Sequence, residues 1–323
     1  MISPAIRLAA VTGLLACVAA CSNAVHQGPV RFGAAPPIVV SGLGACTDDS
    51  HAVLKLDPEQ PIVLLVHGCR ASGARFRTLA QVFEAHGQQT ACFNYDDRDS
   101  LEVSSEQLRR AVEALSAQTR RKELTVLGHS QGGLVSRRAL IQERSDGPLQ
   151  AQGLSVRLVT VSSPFGGISA SKHCGLLPLH VLTFGVSAAI CQIAAGNKWM
   201  EIHPDSRLVE RPGTLVTGVH DFLKIVTDER GTCFERDADG SCRTSDYVFS
   251  VNEQRNASID ADKRARSEVV PDGHSAVVGQ NGIPPAKLIK VLQDQGVMAR
   301  TPAGRQASIQ RLIASLYSGP QLP

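Results

Sequence analysis

The sequence predicts an α/β protein built on a doubly wound, mostly parallel sheet. Three observations carry that expectation. Between residues 61 and 162, strand-like and helix-like stretches alternate in the rhythm of repeated strand–helix units. The strand-like stretches are continuous apolar runs, the pattern of strands covered on both faces. Finally, His67-Gly68, Ser130 and Ser163-Pro-Phe-Gly-Gly167 each fall just past a predicted strand. Sheets of this kind hold their ligands at that edge.

At the N-terminus, Arg7 and the apolar, small-residue run Leu8–Ala20 read as a secretory signal, too short to span a bilayer. The run ends in Val18-Ala19-Ala20-Cys21, which resembles a bacterial lipoprotein box with Cys21 as the lipidated residue. The alternative is an ordinary signal peptide cut near Ala20 or Ala24. Residues 1–21 are thus expected to be a signal, 22–40 a flexible tether and 41–323 the folded domain. Roughly 300 residues remain for one large domain. The expected location is outside the cytoplasm, as an outer-membrane lipoprotein held by its lipid, or alternatively as a secreted protein.

Within the domain, Pro61-Ile-Val-Leu-Leu-Val-His-Gly68 predicts a buried strand. Residues 72–87 carry Phe76, Leu79, Ala80, Val82 and Phe83 at helical spacing, with Gly87 as the stop. Thr90–Tyr95 predicts the next strand and Ser105–Arg120 an amphipathic helix with Glu106, Arg109, Arg110 and Glu113 on its polar face. Leu124–Leu127 predicts a strand, Leu134–Glu143 a helix and Val156–Ser162 another strand. Residues 168–200 break the rhythm with a small, apolar stretch interrupted by Pro178, His180 and Gln192. Two helices, Pro285–Gln295 and Arg305–Tyr317, close the chain, the second amphipathic through Ile309, Leu312, Ile313 and Leu316.

Thirty-three basic and 30 acidic residues leave a formal charge of +3, too little for a nucleic-acid surface. Beyond Cys21 the domain holds Cys46, Cys69, Cys92, Cys174, Cys191, Cys233 and Cys242. So many cysteines in an exported chain predict disulfides, with Cys233–Cys242 and Cys174–Cys191 as candidate pairs and at least one thiol left over. No Cys/His spacing fits zinc. Asp237-Ala-Asp239-Gly240 hints at calcium, but the other ligands of such a loop are missing and a solvated acidic turn is the reading preferred. No metal and no cofactor are expected, and no feature bears on oligomeric state.

Leu124-Thr-Val-Leu-Gly-His-Ser-Gln-Gly-Gly133 carries the chemistry. A strand running into Gly128-His-Ser130-Gln-Gly132 and then a helix is a nucleophile elbow, with glycines where helix and strand close on each other. The other reading is a glycine-rich turn with an incidental serine. Together with Leu-Val-His-Gly68 and Ser-Ser-Pro-Phe-Gly-Gly167, this stretch resembles the α/β-hydrolase superfamily, and within it the bacterial lipases and esterases. Met200–Leu208 looks like a segment that such lipases carry after their lid, so the resemblance implies a lid-like insertion at about 168–200. A pair of core helices with no gating role is the alternative.

The resemblance implies the chain order Ser, acid, His. Ser130 is then the nucleophile and His274, in Pro271-Asp-Gly-His, the base, with His220 as runner-up. His67 and His129 flank the site and are read as structural. For the acid, Asp246 in Thr244-Ser-Asp-Tyr is similar to the stretch carrying it in bacterial lipases, although Tyr247 replaces a usual glycine. Asp221, at the end of a strand-like Thr214–Asp221, is the alternative. Choosing Asp246 makes residues 228–243 a disulfide-closed insertion. The amides of Cys69 and Gln131 are the expected oxyanion donors, though Cys69 equally suits a disulfide. The implied function is hydrolysis of carboxylic esters of lipids or acyl chains. A thioesterase or amidase with the same triad, and a non-catalytic binding lipoprotein on this scaffold, are the alternatives.

Overall fold

A run of branched apolar residues has no polar face to show to water, so Ile62–Val66 is stable only where both faces are covered. In the computed structural model, which describes residues 38–49, 51–169, 198, 201–280 and 282–318, this segment is a strand buried along its whole length. The described residues all belong to one unit, 36–323. Cys21, the tether up to residue 37 and the Cys174–Cys191 pair lie outside the described residues, as does most of the lid-like insertion.

The strands are β1 (Leu43–Gly44), β2 (Ile62–Val66), β3 (Gln89–Phe93), β4 (Glu123–His129), β5 (Ser155–Val161), β6 (Val219–Thr227), β7 (Cys233–Arg236), β8 (Cys242–Ser245) and β9 (Ala265–Val270). Seven form one sheet in the order β1-β3-β2-β4-β5-β6-β9. All its pairings are parallel except that of β1 with β3. The longer helices are α1 (Arg77–Ala85), α2 (Leu101–Gln118), α3 (Gln131–Ala139), α4 (Ala286–Asp294) and α5 (Gln306–Tyr317).

Strand side chains alternate between faces, and the two faces feed two cores. Ile62, Leu64 and Val66 join Val126, Leu158 and Phe222 against Leu108, Val112 and Leu115 of α2 and Val135 of α3. Val63 and Leu65 join Leu127, Val159 and Leu223 against Leu79, Val82 and Phe83 of α1, Leu288 of α4 and Tyr317 of α5. Helix α2 begins four residues before the predicted Ser105, because the Ser100 hydroxyl caps it by accepting the Val103 N–H at 3.2 Å.

Strand β6 departs from expectation in position. It starts at Val219 and runs to Thr227, so Asp221 stands near its amino end instead of its carboxyl end. Beyond it, residues 228–245 leave the sheet and return through the β7–β8 hairpin, which a Cys233–Cys242 disulfide closes. A second disulfide, Cys46–Cys92, ties the segment after β1 to the buried middle of β3.

The Cys46–Cys92 bond closes a loop of 46 residues. Chain-entropy arguments give a loop of that size a stabilisation of about 4 kcal/mol. The Cys46→Ala/Cys92→Ala protein is therefore expected to unfold at clearly lower urea, with a slope equal to or steeper than wild type because its unfolded chain is less compact. An unmoved midpoint would show that packing alone holds this edge of the sheet.

Candidate active site

At the carboxyl end of β4 the chain must reverse within one residue to enter α3. Ser130 does so at φ 57° and ψ −125°, a region that residues with a Cβ seldom occupy. The flanking glycines make the reversal possible. A Cβ on Gly128 would lie 2.4 Å from the Gly132 carbonyl oxygen, and one on Gly132 would lie 2.2 Å from that of Val66. The Ser130 N–H donates to the Val161 carbonyl at 2.9 Å, which fixes the turn to the neighbouring strand.

His274 follows β9 and arrives at the serine from above the sheet edge. Its Nε2 stands 3.1 Å from Ser130 Oγ. Its Nδ1 stands 3.2 Å from Glu229 Oε1 and 2.8 Å from Ser162 Oγ. The tautomer protonated at Nδ1 satisfies all three contacts, with Nε2 free to accept from the serine hydroxyl.

Glu229 was not among the expected residues. It lies two positions beyond β6 with a fully buried side chain. Its carboxylate accepts hydrogen bonds from the amides of Val248 at 2.6 Å and Phe249 at 2.8 Å, and from the hydroxyls of Thr227 at 2.7 Å and Ser162 at 2.8 Å. Burial works to raise its pKa, but the bonds from His274 and the two amides outweigh it and hold the carboxyl below its usual range. The sequence signal for Glu229 was the run Phe222–Thr227 ending in Thr-Asp-Glu, an acid at the true carboxyl end of the strand.

The two expected acids are elsewhere. Asp246 is buried beside the histidine loop but does not touch the ring. Its carboxylate accepts the N–H groups of Ser275 at 2.9 Å and Ala276 at 3.0 Å, and its carbonyl accepts that of His274 at 3.0 Å. A Cβ on Gly273 would strike this carboxylate at 2.0 Å, so the loop needs glycine there. Asp221 pairs with Arg266 at 2.8 Å and Arg157 at 3.1 Å at the other end of the sheet. His220, the runner-up base, is there too, exposed and bonded to Ser155.

The other two histidines brace the site. The His129 ring centre is 4.8 Å from that of His274, and its Nε2 lies 2.9 Å from the His274 carbonyl oxygen. Burial first, then the neighbouring His274 and Arg75, push His129 well below the usual histidine range, so it is a neutral donor. His67 stacks on Tyr95 at 4.4 Å, and burial lowers its pKa as well. Gly68 brings its loop against Ser130, for a Cβ there would stand 2.9 Å from Ser130 Cβ. Cys69 is an exposed free thiol. Gln131 is the first residue of α3, where N–H groups have no partner within the helix.

Among the described residues, no three His, Cys, Asp or Glu side chains are grouped to hold a metal, and no helix is long and apolar enough to cross a membrane. Asp237 and Asp239 sit at the exposed tip of the β7–β8 hairpin, where Asp239 accepts the Ser241 N–H at 2.9 Å.

Comparison with known structures identifies the architecture. A lipase of Bacillus licheniformis in its mature form superposes with a TM-score of 0.52 at 12% identity, over 78% of this chain and 96% of that one. The propeptide form of the same lipase gives 0.52 at 12% identity, over 81% and 54%. This chain has the α/β-hydrolase fold. Lipase B of Aspergillus fumigatus aligns at 14% identity and a TM-score of 0.46, over 90% of this chain and 66% of that one. The family model of palmitoyl protein thioesterase matches residues 61–208, somewhat less than half of the chain. No curated protein sequence matches it.

The depressed Glu229 pKa has a definite consequence for stability. The ionised carboxylate contributes fully above the ordinary glutamate value of 4.5, and the contribution is lost as pH falls through the lower folded-state value. Glu229→Gln is expected to be less stable at neutral pH by about 1–3 kcal/mol. In urea titrations across pH, the gap from wild type should then close on acidification below 4.5. A gap independent of pH would contradict the charge-based account.

Proposed function

We propose that this protein is a serine hydrolase of the α/β-hydrolase superfamily acting on acyl esters, with Ser130 as nucleophile, His274 as general base and Glu229 as the acid. The single observation carrying the proposal is the continuous chain of contacts from Ser130 Oγ through both nitrogens of His274 to Glu229 Oε1. A serine hydroxyl attacks a carbonyl only when a base takes its proton. His274 Nε2 takes it as Oγ bonds to the carbonyl carbon, and the amides of Gln131 and Cys69 receive the charge developing on the carbonyl oxygen. The imidazolium then protonates the leaving alcohol, the acyl-enzyme forms, and water attacks it by the same steps in reverse. Glu229 keeps the ring in the working tautomer and stabilises its charged form.

The family match over residues 61–208 favours a second reading, a thioester in place of an oxyester. The catalytic groups are the same, and only the leaving group differs. The two disulfides fit an exported protein. A lipid on Cys21 would hold the enzyme at a membrane, close to acyl substrates.

The test is hydrolysis of p-nitrophenyl esters from acetate to palmitate beside thioesters of the same chains. Ser130→Ala is expected to abolish turnover, and Glu229→Gln to lower kcat by about 10²–10⁴-fold. Asp246→Asn and Asp221→Asn should each retain more activity than Glu229→Gln. Preference for one leaving group at matched chain length decides between oxyester and thioester. If the folded protein turns over neither and Ser130 fails to react with a fluorophosphonate, the hydrolase assignment is wrong.

A further inference from the structure

We propose that Asp97 and Lys198 form a positioning pair for the oxyanion loop, Asp97 fixing its backbone and Lys198 cancelling the Asp97 charge. The inference rests on the reading above, in which the amides of Cys69 and Gln131 receive the oxyanion.

Both donor residues are tied to Asp97. On one side, Asp97 Oδ2 accepts the N–H of Arg70, the residue after Cys69, at 2.9 Å. Arg70 sits at φ 55°, a left-handed conformation that a side chain disfavours and that needs its surroundings to hold it. On the other side, the Asp97 carbonyl accepts from the Gln131 side-chain amide at 3.0 Å. Two residues earlier, the Tyr95 hydroxyl donates to the His67 carbonyl at 2.8 Å. Residues 95–97 therefore grip the His67–Arg70 loop at both ends and join it to the elbow.

Such an arrangement has an electrostatic cost. A carboxylate bonded one residue from a donor amide opposes the negative charge that the site must stabilise. Lys198 supplies the counter-charge. It is only 3% exposed, and its ammonium donates to the Asp97 carbonyl. It also stands 3.5 Å from Asp97 Oδ2 and 3.5 Å from Cys69 Sγ. A lysine so buried is stable only when paired. Burial works to raise Asp97, but the Arg70 amide, Cys69 and Lys198 outweigh it and keep the carboxyl below its usual range. The carboxylate is thus ionised and its compensation is needed at neutral pH.

The test reads the site without knowledge of the substrate. A fluorophosphonate places its phosphoryl oxygen where the oxyanion would sit, so its labelling rate at Ser130 reports the donor geometry and field. Rates would be compared for wild type, Lys198→Met, Asp97→Asn and the Lys198→Met/Asp97→Asn double variant in the full chain, with Ser130→Ala as blank. Lys198→Met is expected to label about ten-fold or more slowly, a fraction of what a lost oxyanion donor costs. Adding Asp97→Asn should restore part of that rate, because the uncompensated charge is gone while an amide oxygen still accepts from Arg70. A Lys198→Met rate equal to wild type overturns the proposal, and so does a double variant no faster than Lys198→Met. Should Lys198→Met fail to fold, Lys198→Gln takes its place with the same two criteria. Wild type that does not label overturns the hydrolase reading itself, and this inference with it.

Discussion

The approach of two backbones at the elbow is the constraint on which the rest of this site depends. Gly132 lies so close to the carbonyls of Val66 and His67 that a single added carbon would sit 2.2 and 2.4 Å from them. That contact sets the first turn of α3 directly over the carboxyl ends of β2 and β4. Once it is made, Ser130 takes a positive φ of 57°, and Gln131 begins a helix within which its amide has no partner. The cost of holding a side chain at positive φ is of order 1–3 kcal/mol. It is offset by bonds that exist only in this arrangement, such as the Ser130 amide to Val161 and the His129 ring to the His274 carbonyl.

Two buried carboxylates meet the histidine loop and divide the work between ring and backbone. Glu229 faces the imidazole, surrounded by neutral donors that satisfy its oxygens without neutralising it. Its charge therefore remains available to a positive ring, which is what the proposed proton transfer requires. Asp246 binds the amides beyond His274 and so sets where the ring can stand. Residues 229 and 246 bracket the disulfide-closed hairpin, and its strands bring the chain back to its point of departure, where the Asp246 N–H donates to Thr232 at 3.3 Å. The insertion is thus sequence added between two residues of one site.

Most of this was legible in the chain because the signals were local. Apolar runs gave the strands, helical spacing gave α1 and the closing helices, and the serine motif with its two glycines gave the elbow. Glu229, the partner of the His274 ring, was missed where a local signal pointed elsewhere. Thr214–Asp221 has the look of a short strand ending in an acid, while the real β6 carries Lys224 in its middle, which breaks the apolar run on inspection. Lys224 is nonetheless buried, paired with Asp260 and 5.3 Å above the Phe165 ring. Neither partner is visible from the strand itself. The Cys46–Cys92 bond was hidden for a similar reason, since it depends on the pairing of Gly44 with Cys92 across β1 and β3. Lys198 and Asp97 likewise meet only through the tertiary fold, 101 positions apart.

His67 and His129 belong to the loops beside Ser130 and His274, and burial disfavours the charged form of both. Were His129 to be protonated, a second cation would face His274 at 4.8 Å between ring centres and draw on the field of the single carboxylate that serves it. Burial prevents this, as it does for His67. Each neutral ring is then used as a spacer with a directed contact, His129 to the His274 carbonyl and His67 to the Gly68 carbonyl at 2.9 Å. Seen this way, desolvation of the two bracing rings has a chemical result as well as a structural one. Two neutral rings beside His274 add no charge to its surroundings, so in the proposed mechanism the motif histidines at 67 and 129 support the base without competing with it.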